Sequence, residues 1–375
     1  MNVTKEQILE KLGIIQYPGK NKDIVSLKMV TGLEVNDNNV SLTLTFPEAQ
    51  SPFEKSLTKA IEATLKLIDS ALQVDIKIAG QKVNVQPLAV EKENPLKNVK
   101  NILAVASGKG GVGKSTITAN LAIALAKTGA KVGVLDADIY GPSMPKMFGI
   151  EGARPTIEKI DGKDKINPIE SYGVKVLSIG FFVNAEDPLI WRGSMATNAL
   201  NQFINDVIWG DLDYLLFDLP PGTGDIHLTM VQGLPVTAAV VVSTPQDVAL
   251  ADAIKGINMF KTESINVPLL GLIENMAWFT PEELPDNKYY IFGKEGCKKL
   301  AEEKNIPLLG QIPLVQSIRE GGDAGVPSAA DENSIMGKAF ADLTQKVLEQ
   351  LEIRNTTQEA TKQVEIKEGA GCSAH

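Results

Sequence analysis

The chain of 375 residues is poor in the residues that build cross-links and metal sites. It has two cysteines, Cys297 and Cys372, and two histidines, His227 and His375. So few thiols exclude a disulfide framework. Neither the cysteines nor the histidines stand at metal-ligand spacing, which excludes a zinc site built from four Cys or His ligands of one chain. No run of about 18 or more apolar residues occurs, so a helical membrane span is excluded. Positive charge is also short: 37 Lys and Arg against 46 Asp and Glu leave a net charge of −9, which argues against a general nucleic-acid face. The opening Met1-Asn2-Val3-Thr4-Lys5-Glu6 lacks the charged-then-apolar layout of a secretory signal. The expected compartment is therefore cytoplasmic, with neither membrane nor nucleic acid as a partner.

What is present is ordinary globular material, 43% hydrophobic and 22% charged, in a length that suits one large domain and one smaller one. Residues 1–88 read as a small α+β domain. A helix over Lys5 to Leu12 comes first. Val40-Ser41-Leu42-Thr43-Leu44-Thr45-Phe46 alternates as a half-buried strand, Pro52 to Ala71 forms an amphipathic helix, and Val74 to Ile78 a short strand. Residues 89–100 are charged, contain Pro95 and lack apolar periodicity, as a linker does. Residues 101–351 carry short apolar runs at 102–106, 132–135, 174–179, 214–217, 238–242 and 269–273, most of them separated by helical segments. Uninterrupted apolar strands need cover on both faces, so the expected fold is α/β, a doubly wound, mostly parallel sheet. A final helix is expected over Ser334 to Leu351, and 352–375 as a flexible tail.

The first apolar run leads into Gly108-Lys109-Gly110-Gly111-Val112-Gly113-Lys114-Ser115-Thr116, with a helix expected from Ile117 to Thr128. Glycines let successive backbone N–H groups turn inward around phosphate oxygens, and the helix N-terminus adds partial positive charge. The pattern implies an ATP-binding loop, in which Lys114 should reach the β and γ phosphates and the Ser115 hydroxyl should meet Mg²⁺. Lys109 is not required by an ordinary loop of this kind. It is either a solvated surface lysine or one that crosses to a phosphate bound by a second copy. Asp218 ends the run Tyr214-Leu215-Leu216-Phe217, where an aspartate that holds the magnesium water shell belongs. Asp136 and Asp138 also lie at a strand's carboxyl end, where α/β sheets place ligands.

Gly108 to Thr116 resembles the deviant phosphate loop of the MinD, ParA and nitrogenase iron protein class. Leu135 to Pro145, Trp191-Arg192-Gly193 and Asp218 to Asp225 resemble the Mrp/ApbC subgroup, and the N-terminal module resembles a domain shared with iron–sulfur assembly factors. The resemblance implies a nucleotide-gated homodimer in which Lys109 acts in trans. It implies that Asp138 orients the attacking water, that Asp136 helps with magnesium and that Asn275 hydrogen-bonds the adenine. Two readings from the residues alone stay open: one of the two aspartates caps the next turn, and Asn275 is a turn residue. The resemblance further implies an ATP-hydrolysing iron–sulfur cluster carrier with a [4Fe–4S] cluster bridging two subunits, serving apo-protein clients or scaffold proteins.

The chain departs from that pattern at one place. Many such proteins carry a Cys-x-x-Cys pair soon after a Glu-Asn-Met segment. Here Glu274-Asn275-Met276-Ala277-Trp278-Phe279 runs into Thr280-Pro281-Glu282-Glu283-Leu284-Pro285-Asp286-Asn287-Lys288, without cysteine. Two copies each of Cys297 and Cys372 would still supply four thiols in a dimer, and Glu282, Glu283 or Asp286 could add oxygen ligands. The competing function is a metal-independent regulatory or positioning switch of the MinD/ParA type. Turnover is expected to be slow without a partner, since no arginine is firmly placed as a finger and Arg192 is only a candidate.

Overall fold

The computed structural model describes residues 4–17, 22–36, 39–46, 53–69, 72–78, 96–160, 162–182, 193–263, 265–281, 283–284 and 286–361. The chain divides into two compact units, Met1–Lys92 and Glu93–His375.

In the first unit, α1 (Lys5–Leu12) is opened by a capping box, with Thr4 accepting from the Gln7 amide and Gln7 reaching back. Strands β1 (Val30–Asn36) and β2 (Asn39–Leu44) pair antiparallel, and β3 (Gln73–Ile78) joins β2 in parallel after α2 (Glu54–Lys66). Ile8 and Leu12 of α1 and Leu57, Ile61 and Leu65 of α2 meet Val40, Leu42 and Leu44 in one core. Strand β1 is not evident in the sequence. Its register shifts between Thr31 and Glu34, with Gly32 at φ 59°, so the two-residue alternation breaks in mid-strand.

The second unit runs β4 (Val99–Ala106), α3 (Lys114–Lys127), β5 (Val132–Asp136), α4 (Met144–Met147), the hairpin β6 (Thr156–Ile160) and β7 (Lys163–Asn167), then β8 (Ile169–Ser171) and β9 (Val174–Ser178). There follow α5 (Gly193–Asp206), β10 (Leu212–Asp218), α6 (Asp225–Gly233), β11 (Ala238–Ser243), α7 (Asp247–Lys261), β12 (Leu269–Phe279), α8 (Gly296–Lys304), β13 (Leu308–Leu314), α9 (Gln316–Ala324) and α10 (Ile335–Thr357). Eight strands form one sheet in the order β13-β12-β11-β4-β10-β5-β9-β8, parallel except for β8 against β9.

Both sheet faces are covered, as the apolar strands require. Ile102, Ala104 and Ala106 of β4 face α5, α6 and α7, while Leu103 and Val105 face α3 and α10. Helix α3 lies buried between sheet and α10, which is why it is apolar on most sides. It starts at Lys114, three residues before the expected Ile117. Strand β13 was not expected, because Gly310 and Pro313 interrupt its apolar pattern; as the edge strand it tolerates them. The last helix, expected to end at Leu351, continues to Thr357. Polarity misplaces that end: Leu351 and Arg354 are buried, and the Arg354 guanidinium donates to the Glu359 carbonyl and the Thr361 hydroxyl. The expected linker lies largely outside the described residues, as does the tail from residue 362 on.

Candidate nucleotide site

The central strand β4 delivers the glycine loop to the carboxyl edge of the sheet. Gly108 is pressed onto α7: a Cβ there would collide with the backbone of Asp252 and Ala253. Gly113 closes the loop in the left-handed region, at φ 81°, and a side chain on it would strike the Asn275 amide. Lys114 then opens α3. Asn275 Nδ2 donates to the Val112 carbonyl at 2.8 Å, which ties the loop to the end of β12.

Strand register aligns the acidic residues. Asp218 of β10 lies beside Val105 of β4 on one side and Asp136 of β5 on the other. Lys114 Nζ is 2.8 Å from Asp218 Oδ2 and 3.8 Å from Asp138 Oδ2. Ser115 Oγ donates to Asp218 Oδ2 at 2.6 Å, and Thr118 Oγ1 donates to Asp218 Oδ1 at 2.7 Å. Lys114 is 6% exposed and Asp218 0%, so this is a desolvated ion pair, stabilised by hydroxyls on both carboxylate oxygens. Burial raises the pKa of Asp138, with Lys114 acting in the opposite direction.

Asp136 is used differently. Its Oδ2 accepts from the Ser143 and Met144 amides, both at 3.1 Å, and from the Ser178 hydroxyl at 2.9 Å; its Oδ1 accepts from the Asp138 amide at 3.2 Å. It therefore caps the turn that opens α4. Burial first, and then the neighbouring Asp218, push its pKa up to about 7.

Beside the loop lies a cleft of about 520 Å³, lined by Gly113, Thr116, Lys146, Asn275, Pro313 and Arg319 among others. Its position next to the phosphate loop and its mixed apolar and polar walls suit a nucleoside. Met276, at φ 55°, turns the chain at its rim. On the other side, the Gly222 amide donates to the Ser107 carbonyl at 2.9 Å and fastens the loop after β10 to the start of the phosphate loop. Lys109 is exposed, and its side chain makes no ion pair or hydrogen bond among the described residues.

The structure thus brings Gly108 to Thr116, Asp136, Asp138, Asp218 and Asn275 together. Cys297 is elsewhere in chemical terms. It is 0% exposed, its amide donates to Glu274 Oε2, and its sulfur faces the Thr244 carbonyl at 3.8 Å. Burial, reinforced by Glu274, pushes its pKa up to about 12. Cys297, expected as a possible cluster ligand, is thus sealed away from solvent in this conformation. Cys372, Arg192 and Glu282 lie outside the described residues, while Glu283 and Asp286 are exposed. Among the described residues, no group of three or more His, Cys, Asp or Glu is arranged to hold a metal ion. The segment that lacks the cysteine pair closes on itself: Phe279 and Tyr289 exchange two backbone hydrogen bonds of 2.8 Å, and Lys288 lies 4.0 Å over the Trp278 ring.

Thr118 was not expected in the site, and His227 was noted only as lying outside metal-ligand spacing. Thr118 lies four positions after Lys114, on the same helix face. His227, the third residue of α6, is 1% exposed, and neither ring nitrogen has a hydrogen-bond partner among the described residues. Burial lowers its pKa to about 4.

A glycine loop at the end of a central parallel strand, a lysine opening the next helix and a strand-end aspartate define a P-loop NTPase domain. The family model described as NUBPL iron-transfer P-loop NTPase matches residues 98–348, and the one described as iron–sulfur cluster assembly protein matches residues 5–78. The chain is similar to the iron–sulfur cluster carrier protein of Escherichia coli K12, 44% identical over 91% of this chain and 90% of that one. It is 40% identical to the iron–sulfur cluster carrier protein of Synechocystis, over 92% and 97% of the two chains. Among solved structures, the nucleotide-binding protein of Archaeoglobus fulgidus in complex with ADP is 38% identical, with a TM-score of 0.55 over 64% of this chain and 92% of that chain. The chain belongs to the iron–sulfur cluster carrier proteins, ParA-type P-loop NTPases that carry an N-terminal iron–sulfur cluster assembly domain.

Proposed function

We propose that this carrier binds Mg·ATP at the glycine loop and hydrolyses it as a homodimer that hands clusters to apo-protein clients. The observation that carries the nucleotide part is the convergence of Lys114, Ser115, Asp138 and Asp218 around the first turn of α3. Its donor set is hard oxygen, a hydroxyl and a carboxylate 2.6 Å apart, which fits Mg²⁺. Ser115 would hold the ion and Asp218 its water shell, with Asp136 setting the segment behind them. When bound, the ion supplies charge neutralisation at the phosphates.

The remaining work falls to side chains of this chain. Lys114 exchanges Asp218 Oδ2 for the β and γ phosphates. Asp138 accepts a hydrogen bond from the attacking water and orients it. Asn275 and the walls of the cleft hold the base. Lys109, exposed and without a partner among the described residues, reaches the phosphate of a second copy. Loss of the γ-phosphate frees the segments after Asp136 and Asp218 to move.

The cluster is cargo. With Cys297 buried, the two Cys372 thiols of a dimer are the ones we assign to it, which leaves two of the four usual ligand positions to other groups. The test is anaerobic reconstitution of the full chain beside Cys297→Ala and Cys372→Ala, followed by transfer to an apo-protein with and without Mg·ATP. The proposal expects uptake by the wild type and by Cys297→Ala, loss in Cys372→Ala, and transfer that depends on ATP. A wild-type chain that takes up no cluster would favour a metal-independent switch.

A further inference from the structure

Asp218 divides its two oxygens between different kinds of partner. Oδ2 faces Lys114 and Ser115, the two groups that phosphate and Mg²⁺ would claim. Oδ1 accepts from the Thr118 hydroxyl at 2.7 Å, its one side-chain donor among the described residues, and both residues are fully buried. The Thr118 hydroxyl also lies 3.0 Å from the Lys114 carbonyl. It has one proton to donate, and the carboxylate oxygen, paired with Lys114 through its other oxygen and at the shorter distance, is the stronger acceptor. Thr118 is fully buried and is not among the residues that line the cleft.

We propose that Thr118 is a positioning residue, which holds Asp218 through Oδ1 while the partners of Oδ2 are exchanged on nucleotide loading. A buried carboxylate stripped of Lys114 and Ser115 would otherwise be free to rotate about its χ2 and lose its aim at the metal shell. Thr118 keeps one oxygen fixed and leaves the other pointing at the site. This rests on the Mg·nucleotide reading of the site.

The test uses the full chain with Thr118→Val, Thr118→Ala and Thr118→Ser. ADP binding is measured by calorimetry in EDTA, and Mg²⁺ is then titrated into the ADP complex. ADP affinity without metal stays within about twofold in all three. Mg²⁺ affinity falls about tenfold or more in Thr118→Val and Thr118→Ala, the loss of one hydrogen bond to a charged group, and Thr118→Ser retains it. The Ala and Ser variants lack the same methyl group, so the comparison survives if the Val variant fails to fold. Equal Mg²⁺ affinity in Ala and Ser overturns the proposal. A wild-type ADP complex that takes up no Mg²⁺ overturns the underlying reading, and the proposal with it. Normal uptake by the wild type and by Thr118→Val alike overturns the proposal alone.

Discussion

Two corners of one sheet edge differ in how far their chemistry is built. At the ends of β4, β10 and β5, charged side chains are buried, paired and aimed: Lys114 on Asp218, hydroxyls on both carboxylate oxygens, Asp136 on the turn into α4. At the end of β12, the corresponding extension folds into a hairpin held by backbone pairing and one lysine over a tryptophan, and the nearby thiol of Cys297 is sealed in. The first corner has the form of a site awaiting its ligand. The second has the form of a structural closure. Strand register thus gathers the charged groups at the first corner, whereas the second presents no exposed thiol among the described residues.

That contrast can be broken in several ways. The largest effect is expected at the first corner. Lys109→Ala should leave ATP affinity within about twofold and reduce turnover by about a hundredfold, as loss of a transition-state contact does; phosphate release against ATP concentration separates the two.

His227 borders the same corner. Its folded pKa of about 4 lies below the unfolded value of 6.5, so the unfolded chain takes up a proton first. Stability should fall as pH drops from about 6.5 towards 4, by roughly 2–3 kcal/mol from this group. His227→Leu should flatten that slope in urea unfolding at pH 7 and pH 5; an unchanged slope would contradict the burial argument.

The second corner predicts smaller effects. Cys297→Ala should cost about 1–2 kcal/mol of stability as a small core cavity and leave cluster uptake unaltered. Cluster loss in that variant would place cargo chemistry at this corner after all. Lys288→Ala should cost about 0.5–1 kcal/mol, the size of an exposed cation–π contact, and leave nucleotide binding as it was.

Much of the first corner was legible in the sequence, for a physical reason. Phosphate loops are local: glycines, lysine and serine stand within one turn, and the strand ends that bear Asp136 and Asp218 are marked by their apolar runs. The doubly wound sheet was legible for the same cause, buried strands being continuous in apolar residues. The losses came where local pattern fails. Strand β1 is interrupted by a bulge at Gly32, and β13 by Gly310 and Pro313. The bond from Thr118 to Asp218 joins residues 100 apart, and only the assembled sheet places them together. Cys297 entered as a ligand only by the count of thiols in a dimer; its surroundings include Glu274 and Thr244, both distant in sequence.

The central claim is that the Lys114–Asp218 corner is a Mg·ATP site. Its most direct test is calorimetric titration of ATP, with and without Mg²⁺, into the wild-type chain and into Lys114→Ala. One ATP per chain, bound more tightly with Mg²⁺ and weakened about a hundredfold or more in Lys114→Ala, is the expected result. Equal affinity in the two proteins would contradict it.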